Sequence, residues 1–573
     1  VPATITLARQ GCNAGMLQST TPQVDAKPEE PAGQPRESGI LAPLRVAVFR
    51  NIWFANLAGN LGTWAQSVAV AWVITAGHAG PVQVAMVQVA SAAPLVLLSI
   101  ATGVLADNYD KRKIMLAGQV VEMTGAVFLT ALAFIGRLDP TLLILAVLWI
   151  SLGSAITVPA WQSAVGEQVP HEMVGSAVLL NGVNYNVARA VGPALGGVML
   201  SVLAPSWVFL LNTFSYVGLL FALWQWRHVL PERRLPPEGI REGMVAALRF
   251  TWNSTVTRLA MLRSFMFGFT ASVIWALLPL VAREHPGGDA ALYGYMLGTL
   301  GVGAIIGSVL VPRLRGAIGS SRLISVAAGT LSVMVALVAY GRTLEVMMPA
   351  LGVAGACWIA ALTEYNSNVQ LLVPSWVKAR ALALYQTALF AGLASGSFLW
   401  GHLAASMSVS GAMLSSAIVM AITTMLAYHS QFPQLDAAAM KLVMWNRTHA
   451  PELVFNHEQG DVAMSIEYHI PAERVGQFVA LADSLRRLRL RNGGRYWGMF
   501  RDLRDERVWR EVLLVENWLQ HLRMLDRMTL ADKALIEQVR ALHDGEEPPR
   551  ITLSVTYQSI RYDDDRRDAG ADV

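Results

Sequence analysis

The sequence predicts an all-α membrane protein with twelve transmembrane helices in two six-helix repeats, followed by a C-terminal α+β domain of ferredoxin-like order. Three observations carry this expectation. Of 573 residues, 54% are hydrophobic and only 15% charged, which is far from the balance of a soluble protein. The stretches 51–106 and 381–435 contain no Asp, Glu, Lys or Arg, and each has room for two helices of the ~20 residues that cross the hydrocarbon. Residues 436–573, by contrast, hold 43 of the chain's 84 charged residues, so a soluble appendage follows the membrane part.

Residues 1–42 ("TTPQVDAKPEEPAGQPRE" among them) lack an apolar core pattern and read as a disordered tail. Twelve apolar segments follow, at 52–76, 82–106, 114–136, 141–163, 176–203 and 206–226, then 260–282, 291–312, 323–341, 346–365, 380–403 and 408–430. A polar connection at 227–259, centred on "LPERRLPPEGIRE", divides an N-terminal half (43–226) from a C-terminal half (260–430). A second linker, 431–459, leads to the appendage at 460–559, and 560–573 form a disordered tail.

Within the appendage the period changes. Met464, Ile466, Tyr468 and Ile470 alternate with polar neighbours as in a half-buried strand. Val475, Phe478, Ala482 and Leu485 recur at helical spacing, and Gly493-Gly494 ends that helix. "YWGMF" and "RVWREVLLV" read as strands, 518–543 as helical, and Ile551, Leu553, Val555 and Tyr557 as a last strand. The order βαββαβ is the split βαβ of ferredoxin-like domains.

Orientation follows from the cations. Lys111, Arg112 and Lys113, then Arg227, Arg233, Arg234 and Arg241, then Arg313, Arg315 and Arg322, then Lys378 and Arg380 fall in one set of loops. The other set holds little beyond Arg137, Arg283 and Arg342. This bias predicts a multi-pass protein of the cytoplasmic (inner) membrane with both termini and the appendage in the cytoplasm. The high pI of 9.1 is thereby explained by topology rather than by nucleic acid. Cys12 and Cys357 are too few and too distant for a disulfide framework or a thiolate metal site.

The halves read as copies. "VPAWQSAVGEQVPHEMVGSAVLL" (158–180) lies over "LTEYNSNVQLLVPSWVKARALAL" (362–384) at an offset of 204, and the same offset carries Gly103 onto Gly307 and Lys111 onto Arg315. Parallel repeats related about the membrane normal describe one class of secondary transporter.

Several polar residues stand out in the apolar segments. Arg189, in "NYNVARAVGPALGG", lies roughly 20 Å into the fifth segment at 1.5 Å per residue, where a guanidinium faces a cavity or a partner. Asn181, Asn184 and Asn186 precede it, and Gly192-Pro193 permits close helix approach and a bend. Arg189 is either a cavity-lining residue or a brace within its half. Glu122 and Glu364 are the acids able to carry a coupling proton; the alternatives are a peripheral position for the third segment and, for Glu364, a side chain that reaches the membrane interface. Gln66, Asn60, Gln386 and Asn366 are cavity candidates, with Trp64, Trp72, Trp275 and Tyr385 as aromatic surface; helix-packing hydrogen bonds and interfacial belts are the alternative use of such residues. In the appendage Trp518 and His521 stand one helical turn apart. No Walker loop, Rossmann glycine pattern or metal-spaced cluster is present, so neither cofactor nor metal is expected, and an ion gradient, most simply of protons, is left to drive transport.

The loop "GVLADNYDKRK", the first-segment stretch "NLGTWAQSVAVAWVI", "PAWQSAVGEQVP", "RAVGPALGG" and the fused "WLQHLRMLDRMT" all occur in this one chain. Together they resemble the transmembrane secretion effector branch of the major facilitator superfamily, which includes the enterobactin exporter. The resemblance runs from about Leu44 to Tyr557. It implies a secondary exporter of small amphipathic molecules (a drug, siderophore or metabolite), working by alternating access. An importer on the same scaffold is the alternative. In the superfamily the loop latches a gate, which assigns Gly103, Asp107, Lys111 and Arg112 to that motif, with Asp107 facing the start of the eleventh segment at Lys378 and Arg380. Asn108 stands where a cation is common and Asp110 where Gly is common. The appendage is similar to antibiotic-biosynthesis-monooxygenase-like domains, which implies dimerisation through it and leaves a membrane-tethered enzyme or ligand sensor as a further alternative.

Overall fold

Long apolar runs become helices here because each is bounded by a residue able to end one. Asp139 precedes Pro140 and accepts from the N–H groups of Thr141 and Leu142, and Asp289 accepts from Leu292 N–H at 2.8 Å, both as helix N-caps. The computed structural model describes residues 41–226, 240–341, 343–374, 376–429, 440–443 and 460–556; the tails and most of the second linker lie outside the described residues. The first half comprises α1 (Ala47–Ala76), α2 (Pro81–Asn108), α3 (Lys111–Phe134), α4 (Pro140–Gln168), α5 (Val174–Val202) and α6 (Pro205–Gln225). Next comes α7 (Ile240–Asn253), a helix within the polar connection that its composition does not announce. The second half comprises α8 (Thr255–Glu284), α9 (Ala290–Ile318), α10 (Ser320–Tyr340), α11 (Leu344–Leu372), α12 (Lys378–Ser406) and α13 (Val409–His429).

Ten helices among the described residues are long and apolar enough to cross a membrane. The other two of the expected twelve, α1 and α5, have 30 and 29 residues but are interrupted by Asn56, Asn60 and Gln66 on one and by Asn181, Asn184, Asn186 and Arg189 on the other. These helices pack on each other, so part of that polarity is satisfied between them.

The helix pairs repeat. In the first half α1 packs on α5 and α6, α3 on α4 and α6, and α2 on α4; in the second, α8 packs on α12 and α13, α10 on α11 and α13, and α9 on α11. Every pair of the first half has its counterpart seven labels later. The seams between halves obey the same relation, α2 lying along α12 and α5 along α9. Glycine permits the second seam: a Cβ on Gly197 would fall 2.8 Å from the Gly294 Cα, closer than any side chain tolerates.

The appendage consists of β1 (Val462–His469), α14 (Val475–Asn492), β2 (Tyr496–Arg501), β3 (Val508–Val515), α15 (Trp518–Asp526), α16 (Leu530–Arg540) and β4 (Arg550–Val555). Its antiparallel sheet has the order β2-β3-β1-β4. Met464, Ile466, Tyr468 and Phe478 sit in its core. Within that core Arg489 Nε donates to Glu511 at 2.8 Å, joined by Trp497 Nε1 at 2.9 Å and Tyr468 Oη at 3.0 Å. Burial works against the Glu511 carboxylate, but the Arg489 charge and these donors hold its pKa below the usual carboxylate range.

α7 joins this domain to the membrane part. Arg249 Nη1 donates to Gly493 O at 2.8 Å. Phe250 meets Trp376, in the turn between α11 and α12, edge to face at 5.6 Å. Arg527 bridges the junction, donating to Asn492 O at 3.1 Å and stacking on Trp376.

Candidate functional site

The candidate site is the cleft between the halves. One end of the bundle carries the cation-rich loops and the appendage. At the opposite end several contacts among the described residues join the halves. Arg283 Nη1, at the end of α8, donates to Thr75 O, at the end of α1, at 3.0 Å. Gly197 meets Gly294, and Gly401 of α12 lies against Ala85 of α2. Further in, aromatic rings bridge the halves: Trp64 of α1 lies 6.2 Å from Trp275 of α8, and Trp275 lies 5.7 Å from Trp358 of α11. Trp72 stacks on Tyr293 at 6.4 Å, and Tyr385 lies 6.5 Å from Tyr365.

Towards the cation-rich end the two seams behave differently. Along α2 and α12, Ser99 and Thr387 share a hydrogen bond at 2.5 Å, and Gly103 lies opposite Ala383. Along α5 and α9, Ala190 still packs on Gly301. Two turns further, on the same stripe of α5, Val183 is 49% exposed. Tyr185, whose ring lies 6.3 Å from Trp64, is 50% exposed. The cleft is therefore closed at the opposite end and parts along α5 towards the cation-rich end.

The residues singled out from sequence fall into three groups. On the gate loop, Lys111 pairs with Glu167 at the end of α4 and donates to Ser163 O at 3.3 Å. Arg112 donates from Nε to Leu223 O at 3.0 Å and from Nη2 to Trp224 O, capping the carbonyl end of α6 as a cation should. Asp107 is in the last turn of α2, its side chain outside the described residues, and Arg380 is in the first turn of α12. Asp110 is the N-cap of α3, accepting from Arg112 N–H and Lys113 N–H. That explains its presence where Gly is common, and an Asp directly before a helix start is the sequence signal for it.

A second group is used in packing. Gln66 is buried and accepts from Asn212 Nδ2 of α6 at 2.9 Å. Glu122 is buried between α3 and α4, accepting from Gln119 Nε2 at 3.2 Å and lying against Gly153. Glu364 is wholly buried, 3.6 Å from the Arg315 guanidinium of α9. Asn184 is the centre of the α1–α5 contact: it accepts from Asn60 at 3.0 Å and donates to Trp53 O at 2.8 Å.

A third group lies on or near the cleft. Asn181 and Gln386 are half-buried, Asn186 has a buried Oδ1 without a partner among the described residues, and Arg189 is buried with Nε and Nη2 likewise unpaired. Gly192-Pro193 lies beside it, Gly192 against the Trp64 side chain. In the appendage Trp518 and His521 are buried with rings stacked at 5.0 Å. Burial, aided by the Arg489 charge, lowers the His521 pKa to about 4, so the ring is neutral at pH 7. Among the described residues no cluster of three or more His, Cys, Asp or Glu is placed to hold a metal ion.

The chain matches the sequence profile described as "Transmembrane secretion effector" over residues 38–561. It is 21% identical over 399 residues to the multidrug efflux pump Tap of Mycolicibacterium fortuitum, covering 68% of this chain and 97% of that protein. It is 22% identical over 266 residues to the staphyloferrin A transporter of Staphylococcus aureus, covering 45% of this chain and 65% of that protein. In structure it is similar to a point mutant of the nucleoside transporter NupG, with a TM-score of 0.57 at 11% identity, covering 66% of this chain and 99% of NupG. A bacterial homolog of the human lysosomal transporter Spinster gives a TM-score of 0.53 at 13% identity, over 69% of this chain and 99% of that one. Both likenesses are of fold. These matches are to transporters, not enzymes, and the chain belongs to the transmembrane secretion effector family of the major facilitator superfamily.

Proposed function

We propose that this protein is a secondary exporter that moves small amphipathic molecules out of the cytoplasm in exchange for protons. The observation that carries the reading is the asymmetry of the cleft: contacts between the halves close one end, and α5 parts from α9 at the other, around a belt of tryptophans. A two-fold repeat of six helices can invert this asymmetry by rocking one half against the other, which is alternating access. The multidrug efflux and staphyloferrin A transport named for the relatives support a small-molecule cargo. On this reading α1 and α5 also cross the inner membrane, giving twelve spans, and the cation-rich end is cytoplasmic.

Glu122 is the coupling acid of this reading. It is buried, with no cation among its hydrogen-bond partners in the described residues, so a proton gained or lost there changes the charge of the α3–α4 interface. Asp107 is the gate carboxylate. Ser99 faces Thr387 and Gly103 faces Ala383, so the antiparallel register brings Asp107 level with the first turn of α12. The free N–H groups and positive dipole end of that turn favour a carboxylate. The appendage, of ferredoxin-like order, clamps α7 and the turn before α12 and offers its open sheet face for dimerisation.

The test is efflux of a fluorescent drug panel from loaded cells, with and without a protonophore. Protonophore-sensitive efflux that Glu122→Gln abolishes is expected. Efflux indifferent to the protonophore sinks the proton coupling, and no movement of any compound sinks the exporter.

A further inference from the structure

The contacts of α5 fix where Arg189 points. Tyr185, Gly192 and Gly196 face α1, through Trp64 and Ala65, while Ala190, Ala194 and Gly197 face α9, through Gly301, Gly298 and Gly294. Val187, Val191, Leu195 and Val198 form the exposed stripe. At 3.6 residues per turn, Arg189 falls between the α1-facing and α9-facing stripes and diametrically opposite the exposed one. It therefore points into the bundle, at the junction of the two halves, on the level of the Trp64–Trp275 contact.

Its charge there is unanswered. Arg189 is only 4% exposed, and Nε and Nη2 have no partner among the described residues. α1, α5, α9 and α12 contain no Asp or Glu, and the one acid of α8 is its last residue, Glu284. Glu364 is already beside Arg315, and Glu122 faces α4. One turn from Arg189 on the inward side, Asn186 Oδ1 is a buried acceptor that is also unpaired. A brace would have its donors on carbonyls, as Arg263 does on Ala427 O and Arg112 on Leu223 O. Arg189 does not. A buried guanidinium left with free donors is costly, and the cost is recovered when a carboxylate or similar anion accepts from the planar fork.

We infer that Arg189 is an anion-binding residue of the transport site, and that the substrate class is an aromatic or amphipathic molecule bearing an acidic group. Its acid accepts from Arg189, a neighbouring donor of the molecule is accepted by Asn186 Oδ1, and its ring lies against Trp64 and Trp275. This inference rests on the transport reading above and narrows it from amphipathic molecules in general to organic anions.

The experiment uses the full-length protein in nanodiscs and two probes matched in size, 1-pyrenebutanoate and 4-(1-pyrenyl)butyl-trimethylammonium. Binding is read by energy transfer from tryptophan to pyrene, and export of each probe is read in inverted vesicles. The wild type is expected to bind the carboxylate on the order of tenfold more tightly than the cation, the scale of one charge-assisted bidentate contact. Arg189→Gln removes that preference by weakening the carboxylate probe and not the cation, and Arg189→Lys retains part of it. Equal or tighter binding of the cation by the wild type overturns the inference whatever the variants do, as does an equal loss of both probes in Arg189→Gln, the signature of a brace. Export of the cation alone overturns the anion assignment but keeps the transporter; binding and export of neither probe contradicts the transport reading itself.

Discussion

The guanidinium of Arg527 lies 4.3 Å above the ring of Trp376, and this contact ties the C-terminal domain to the turn that starts α12. A cation over an indole contributes about 1 kcal/mol, more when shielded from water, and Trp376 is also packed by Phe250 of α7. Arg527→Ala and Trp376→Ala are therefore expected to loosen the domain without unfolding it. Limited trypsin digestion of the full chain in detergent checks this: the domain is released several-fold faster than from the wild type, while the membrane core stays resistant.

Replacing Gly197 tests the seam at the opposite end. Its Cβ would meet Ala290 O at 2.6 Å and the Gly294 Cα at 2.8 Å, backbone atoms that cannot step aside. Gly197→Val is expected to hold that end apart and reduce export at least tenfold, with normal membrane insertion. Maleimide labelling of a cysteine at Thr75 from outside the cell rises in the variant.

Asp107→Asn keeps the shape of the α2 end and removes its charge. A helix N-terminus stabilises a carboxylate by about 0.3–1 kcal/mol when exposed and up to ~2 when partly buried. Export is expected to slow several-fold with unchanged expression. Lys111→Gln, which removes the pairing with Glu167, is expected to disturb the α3–α4 contact as well and to lower the thermal midpoint. Differential scanning fluorimetry separates the two.

The appendage is expected to lose stability in acid. His521 has a folded-state pKa of about 4 against an ordinary value of 6.5, so the unfolded chain binds the extra proton first as pH falls. Stability from the neutral ring is complete above about pH 6.5 and declines between pH 6.5 and 4, by up to about 3 kcal/mol. His521→Leu, similar in bulk but unable to titrate, flattens that part of the profile. The urea midpoint of the domain's tryptophan signal, followed from pH 7.5 to 4.5, measures it.

The spans and the repeat are legible in the sequence because lipid excludes charge: 51–106 and 381–435 have none. The strand alternation of 464–470 is legible because one face of β1 is packed and the other is not. What stays hidden is tertiary. Glu167 lies 56 residues from the Lys111 it pairs with, and nothing local marks it as a partner. α7 reads as linker because its charged and apolar residues are mixed; its Phe250 finds its use in tertiary contact, against Trp376 and Arg491 among others. Gln66 reads equally as a cavity residue or a helix-packing one because sequence shows polarity but not direction, and its direction is towards Asn212. Arg189 shows the same limit from the other side. Its depth is readable, whereas the absence of a partner for Nε and Nη2 among the described residues is a property of the packed bundle.

Alternating access by relative motion of the halves is tested most directly at the Arg283–Thr75 contact, where α8 of one half meets α1 of the other. Cysteines at both positions, in a chain lacking Cys12 and Cys357, are joined by a short reducible bis-thiosulfonate linker, and efflux is measured before and after reduction. The linked protein is expected not to export, and reduction is expected to restore the rate. Full-rate export by completely linked protein would contradict alternating access by this motion.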